Sequence, residues 1–89
     1  MFNFVFKPNV EELKVKGDIH GLIKALRYGD FDVRVKAAEA LGNIGDKRAV
    51  EPLMDTLKDE NRDVRKEAEK ALLKLHAPAV TALIGAIER

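Results

Sequence analysis

The chain contains no cysteine, serine, glutamine or tryptophan. Without cysteine there is no disulfide, no thiolate chemistry and no structural zinc held by Cys. Without serine as well, no hydrolytic triad can pair Ser or Cys with His. Aromatic residues are few, four Phe and one Tyr, and three of the Phe crowd into Met1 to Phe6. No apolar run approaches the roughly 20 residues of a membrane-spanning helix. No basic region precedes the short apolar stretch at the start, so a cytoplasmic location is the default expectation, with no membrane partner. An excess of one charge is also missing: 16 Lys and Arg against 15 Asp and Glu leave +1. That balance makes no global case for nucleic acid or an anionic surface. Charged residues nevertheless form 35% of the chain, which together with the lack of Gln and Cys suits a thermophile. At 89 residues one domain is expected, burying about 60 to 65% of its unfolded surface.

What is present is a repeat. Asp32-Val33-Arg34, Ala37, Ala40 and Leu41 recur 31 positions later as Asp63-Val64-Arg65, Ala68, Ala71 and Leu72, and Leu22 and Leu26 return as Leu53 and Leu57. With one residue deleted, Ala49-Val50 and Leu53 return as Ala79-Val80 and Leu83. A fixed period in this range is the signature of a solenoid, in which each unit buries its apolar face against its neighbours. Function is then expected on a surface.

Apolar spacings of three and four predict helices almost throughout. Val10, Leu13 and Val15 form a short stripe behind Asn9, a candidate N-cap, stopped at Lys16-Gly17. Asp18 caps a helix to about Tyr28, ended by Gly29, with Ile19, Leu22, Ile23 and Leu26 on one side. Asp30 caps the next, placing Val33, Ala37, Ala40, Leu41 and Ile44 inward until Gly42 and Gly45 close it. Pro52 fixes a start near residue 48 or 49 for a helix burying Val50, Leu53, Met54 and Leu57. Asn61 precedes a helix from about Arg62 to Leu75, and Pro78 opens a last one with Val80, Leu83, Ile84 and Ile87 as its stripe.

The stretch from Asp32 to Leu53, DVRVKAAEALGNIGDKRAVEPL, resembles the short HEAT-like repeat also found in phycobilin lyases, and the resemblance covers roughly residues 18 to 89. The Thr-Pro-Leu-His motif of ankyrin repeats and the Trp and Leu-Gly positions of tetratricopeptide repeats are absent. The resemblance implies an all-α, right-handed α-α superhelix whose second helices line a concave face. Here it gives two full helix pairs, 18–45 and 48–75, between an N-terminal helical stub and a lone C-terminal helix at 78–88. The second unit departs from the pattern where Gly42 becomes Leu73 and Gly45 becomes His76.

The resemblance also names a partner-binding face on the second helices: Phe31, Asp32, Val35, Lys36, Glu39 and Asn43, then Arg62, Asp63, Lys66, Glu67, Lys70 and Lys74. Arg62, Lys66, Lys70 and Lys74 stand four apart, one row of cations able to meet an acidic partner or a phosphate backbone. The bland alternative is a solvated face balanced by Asp63, Glu67 and Glu69. No aromatic is interleaved with the row, so base stacking is not supported. Phe31 and Val35 make an apolar pair beside it, either anchoring a partner or covered by the chain's own N-terminal segment. The family's matching Arg ties neighbouring turns together, which implies a structural role for Arg34 and Arg65. Asp32 and Asp63 suit the helix dipole. His20 reads as a surface residue near a helix start and His76 as a cation near a helix C-terminus.

The ends suggest self-association. Phe2, Phe4 and Phe6 alternate in an extended segment, residues 1–8, that would be an aggregation hazard if left exposed. The last helix, with Val80, Leu83, Ile84 and Ile87, has no partner to follow it, so a homodimer through one or both ends is expected. The expected function is non-catalytic binding of another protein with an acidic surface. The alternatives are binding of nucleic acid or another polyanion through the cationic row, a self-associating structural subunit, and, more distantly, an enzyme-associated protein of the lyase or hydroxylase type. His20 and His76 do not form the His-Glu pairs of HEAT-like di-iron hydroxylases, so no catalytic residue, metal or cofactor is expected.

Overall fold

A computed structural model describes the backbone of residues 7–87 and the side chains of residues 7–76. Its elements are α1 (Val10–Lys16), α2 (Ile19–Ala25), α3 (Phe31–Ile44), a 3-10 turn at Lys47–Ala49, α4 (Val50–Thr56) and α5 (Arg62–Ile87). Among the described residues there is no strand. Met1 to Phe6, with the expected extended segment and its Phe2, Phe4 and Phe6, lie outside the described residues. So do the side chains of Val80, Leu83, Ile84 and Ile87.

Side-chain caps set where the helices begin. Asn9 Oδ1 accepts from the Glu12 N–H at 3.1 Å, Asp18 from Gly21 at 2.9 Å and Asp30 from Asp32 at 2.9 Å. Asn61 accepts from Asp63 at 2.8 Å and from Val64 at 3.2 Å. Each occupies an N–H that a helix start otherwise leaves without a partner. Gly17 (φ 66°) and Gly45 (φ 77°) end α1 and α3 in the left-handed conformation that only glycine adopts without strain.

Two antiparallel pairs, α2 with α3 and α4 with α5, are joined through their second helices, since α3 packs most extensively on α5. Leu22, Leu41, Leu53 and Val64 are fully buried, each stabilising by roughly 1.5–3 kcal/mol relative to exposure. Ala37, Ala38, Ala40, Ala68 and Ala71 fill the rest of the helix seams, where small side chains let helix axes approach. At Gly42 the approach is direct. A Cβ built there would stand 2.8 Å from both Cα and Cβ of Ala71, closer than real carbons approach. Gly42 was expected to help close α3; it is instead a buried interior position where α5 comes in, and Gly45 alone makes the stop.

Other expectations are corrected. The second helix ends at Ala25, not near Tyr28, because the Leu26 N–H is shared between the Leu22 and Ile23 carbonyls and those of Arg27 and Tyr28 turn to carbonyls three residues back, which tightens the last turn. Met54 and Leu57 were placed in the core but are 53% and 39% exposed. With only seven residues, α4 buries a narrow stripe at Leu53 and Thr56. Ile44, at the last turn of α3, and Val15, in α1, were also expected on apolar stripes but are exposed. No break precedes Pro78: α5 runs on to Ile87. Proline removes one donor there, but His76 stands where the first unit has Gly45, and no Ser, Thr, Asp or Asn lies between His76 and Val80 to cap a new helix. His76 therefore lies inside α5 and not at a helix C-terminus.

A candidate interaction strip on the second helices

The candidate residues fall into two rows with a shared register. On α3 they are Phe31, Val35, Glu39 and Asn43; 31 positions on, the same places on α5 hold Arg62, Lys66, Lys70 and Lys74. The rows meet directly, for Lys74 Nζ donates to Asn43 Oδ1 at 2.7 Å across 31 residues. Together with the Gly42–Ala71 contact one residue away on α3, this bond holds α3 and α5 side by side in the repeat register. Arg62, Lys66, Lys70 and Lys74 are exposed, as are Lys36, Glu39 and Asn43. Among the described residues Arg62, Lys66 and Lys70 make no hydrogen bond or ion pair. The caps explain their placement: Asn61 starts α5 immediately before Arg62, so the cationic row begins with the helix.

Phe31 is 43% exposed and Val35 half-buried, so the apolar pair lies partly open at the N-terminal end of α3. Lys7 Nζ pairs with Asp30 Oδ2 at 3.0 Å, bringing the start of the described chain to the cap residue next to Phe31. The ammonium, by its hydrogen bond and charge, holds the Asp30 carboxyl below the usual carboxylate range. On α5, one carboxylate oxygen of Glu67 is buried with no hydrogen-bond partner among the described residues. Such an oxygen carries a desolvation cost that a donor would relieve.

Arg34 and Arg65 serve the scaffold. Arg34 is buried; its Nη1 donates to the carbonyls of Tyr28 at 2.8 Å and Gly29 at 2.9 Å, and its Nε and Nη2 reach Asp59 at 2.9 and 3.2 Å. It thereby ties the α2–α3 turn to the α4–α5 turn of the next pair. Arg65 donates to the carbonyls of Asp59 at 2.7 Å and Glu60 at 3.0 Å, the same two places one repeat later. The carboxylate partner Asp59 was not singled out from the sequence, because its counterpart in the first unit is Tyr28. An open furrow of about 570 Å³ between α2 and α4, lined by Ile23, Tyr28, Pro52 and Asp55 among others, passes over this pair. None of the candidate strip residues lines it.

Near the turn before α4, Arg48 bonds both carboxylate oxygens of Asp46. That side-chain contact, with the Arg48 N–H, holds the Asp46 carboxyl down at about 2. Because the group is more acidic folded than unfolded, its contribution to stability is complete above about pH 4 and fades as the pH falls through about 2. An NMR titration should find the Asp46 carboxyl carbon moving near that value, and Arg48→Ala should return it toward the ordinary carboxylate range.

Among the described residues no three His, Cys, Asp or Glu side chains converge as metal ligands, and no helix is long and apolar enough to cross a membrane. Antiparallel helix pairs that repeat at 31 residues and pack like on like define an α-solenoid. A family model of HEAT repeats matches residues 19–89, and the chain belongs to the HEAT repeat family. No curated protein matches it. HEAT repeats are generally protein-interaction modules and are typically non-enzymatic.

Proposed function

We propose that this chain is a non-catalytic, cytoplasmic interaction module that binds an acidic surface of another protein through the strip formed by α3 and α5. The observation that carries this reading is the Asn43–Lys74 bond at 2.7 Å, which supports treating two rows of exposed residues from different repeats as one surface. Arg62, Lys66 and Lys70 supply long-range attraction, and complementary charge of this kind acts mainly on association rate and partner choice. Phe31 and Val35 supply the apolar contact that slows dissociation.

Affinity capture from a lysate of the source organism tests this, with and without nuclease, using wild type and Lys66→Glu/Lys70→Glu as baits. Both lysines are exposed, so the variant is expected to keep its helical circular dichroism. The expected result is a bound protein that survives nuclease and is lost with the charge reversal. Loss on nuclease treatment instead would assign the strip to nucleic acid. Recovery of this same chain alone by both baits would favour a self-associating subunit.

A further inference from the structure

We propose that the segment recognised by the strip is an acidic amphipathic α-helix, packed across α5 with carboxylates four residues apart and apolar side chains over Phe31 and Val35. This rests on the protein-binding reading of the same strip. The first reason is spacing. Four residues of α-helix advance about 6 Å, so Arg62 to Lys74 forms a ladder about 18 Å long with near-equal steps. A partner helix with Glu or Asp at every fourth position repeats at the same step, and because each such row is inclined to its helix axis the two rows run together where the axes cross at about 50°.

The second reason is width. Packed helix axes lie about 8–10 Å apart, and a helix with its side chains is about 10–12 Å across, so one partner helix presents two adjoining edges to α3 and α5 together. A single extended strand sends alternate side chains to opposite faces, and only one set reaches the strip. It would engage the cations or the apolar pair, not both.

The third reason is the carboxylates within the strip. Asp32, Glu39, Asp63 and Glu67 stand among Lys36 and the four cations of α5, leaving a net charge of one. A nucleic acid strand carries a phosphate at every nucleotide and would set phosphates against Glu39 and Asp63. A helix can instead place a Lys or Arg opposite Glu39, beyond the two apolar residues that face Phe31 and Val35. The mode is that of an amphipathic helix docked on a surface and read by residues on two of its edges.

The test uses the full chain and four probes in fluorescence anisotropy near physiological salt. The first is a synthetic 20-residue peptide with Glu at every fourth position along one edge and Leu at two places on the next. The second has the same composition shuffled, the third keeps both edges but has two central prolines, and the fourth is a single-stranded oligodeoxynucleotide. An exposed ion pair changes binding by about two- to fivefold, so several together amount to tenfold or more. The helical peptide should bind at least tenfold tighter than the shuffled and proline peptides, gain helix on binding, and lose at least tenfold with Lys66→Glu/Lys70→Glu. Equal binding of all three peptides that still vanishes with the charge reversal would overturn the helix and leave the protein-binding strip standing. Failure of every peptide, when lysate capture still recovers a nuclease-resistant partner, would also overturn the helix alone. Binding of the oligonucleotide with no peptide bound would overturn both.

Discussion

Arg34→Ala should lower the unfolding free energy by roughly 3–5 kcal/mol, the cost of removing one partner from a buried ion pair. Arg65→Ala, at the same place one repeat later, should cost about 1 kcal/mol. The two side chains differ in what surrounds them. Arg34 and Asp59 have side chains only 11% and 12% exposed, and deleting the guanidinium strands the Asp59 carboxylate together with the carbonyls of Tyr28 and Gly29. Arg65 is exposed, and water can replace it at the carbonyls of Asp59 and Glu60. For a domain whose whole stability is of order 5–13 kcal/mol, the first loss should lower Tm by on the order of 15–30 °C. Thermal denaturation of both variants reads this directly. Equal effects would mean that Arg34 does not join the two turns.

Gly42→Leu should cost at least about 3 kcal/mol, because overpacking a closed helix seam is destabilising and the obstacle is main chain. Ala71 Cα already stands 2.8 Å from where the first added carbon would be, and trimming the Ala71 side chain cannot move it. Gly42→Ala tests the same contact more gently: the alanine gains about 1 kcal/mol of helix propensity, yet the variant should still be less stable than wild type. The reciprocal change, Leu73→Gly, removes a side chain that is 65% exposed and should cost only about the helix propensity of glycine, about 1 kcal/mol. Urea unfolding of the three variants would separate a packing role for Gly42 from a role in ending α3.

The elements that the sequence disclosed are those written locally. Asn9, Asp18, Asp30 and Asn61 each stand immediately before a helix, and Gly17 and Gly45 each end one, because a cap needs only its own neighbours in the chain. Repetition at 31 residues likewise put Asn43 and Lys74 at equal positions of the two units, although their direct bond shows only in the structure. What was not legible depends on the third dimension. Gly42 resembles a helix terminator until Ala71 is seen against it. Asp59 is invisible as a partner because the first unit places Tyr28 there, although the buried Arg34 that repeats as Arg65 did signal a tie between turns. Met54 and Leu57 fit an apolar stripe by spacing, but whether a stripe is covered depends on the helix beside it. His76 and Pro78 suggested the end of one helix and the start of another, where no cap supports a break.

The proposed division of labour, in which the second-helix strip binds a protein and the first-helix layer supports it, is testable in one step. A photo-crosslinking amino acid placed at Lys36 on α3, and separately at Glu51 on α4, puts a probe at an exposed position of each layer. The account predicts a nuclease-resistant crosslink to a protein from position 36 and none from position 51. Crosslinking from position 51 alone would contradict it and move the binding surface to the opposite layer.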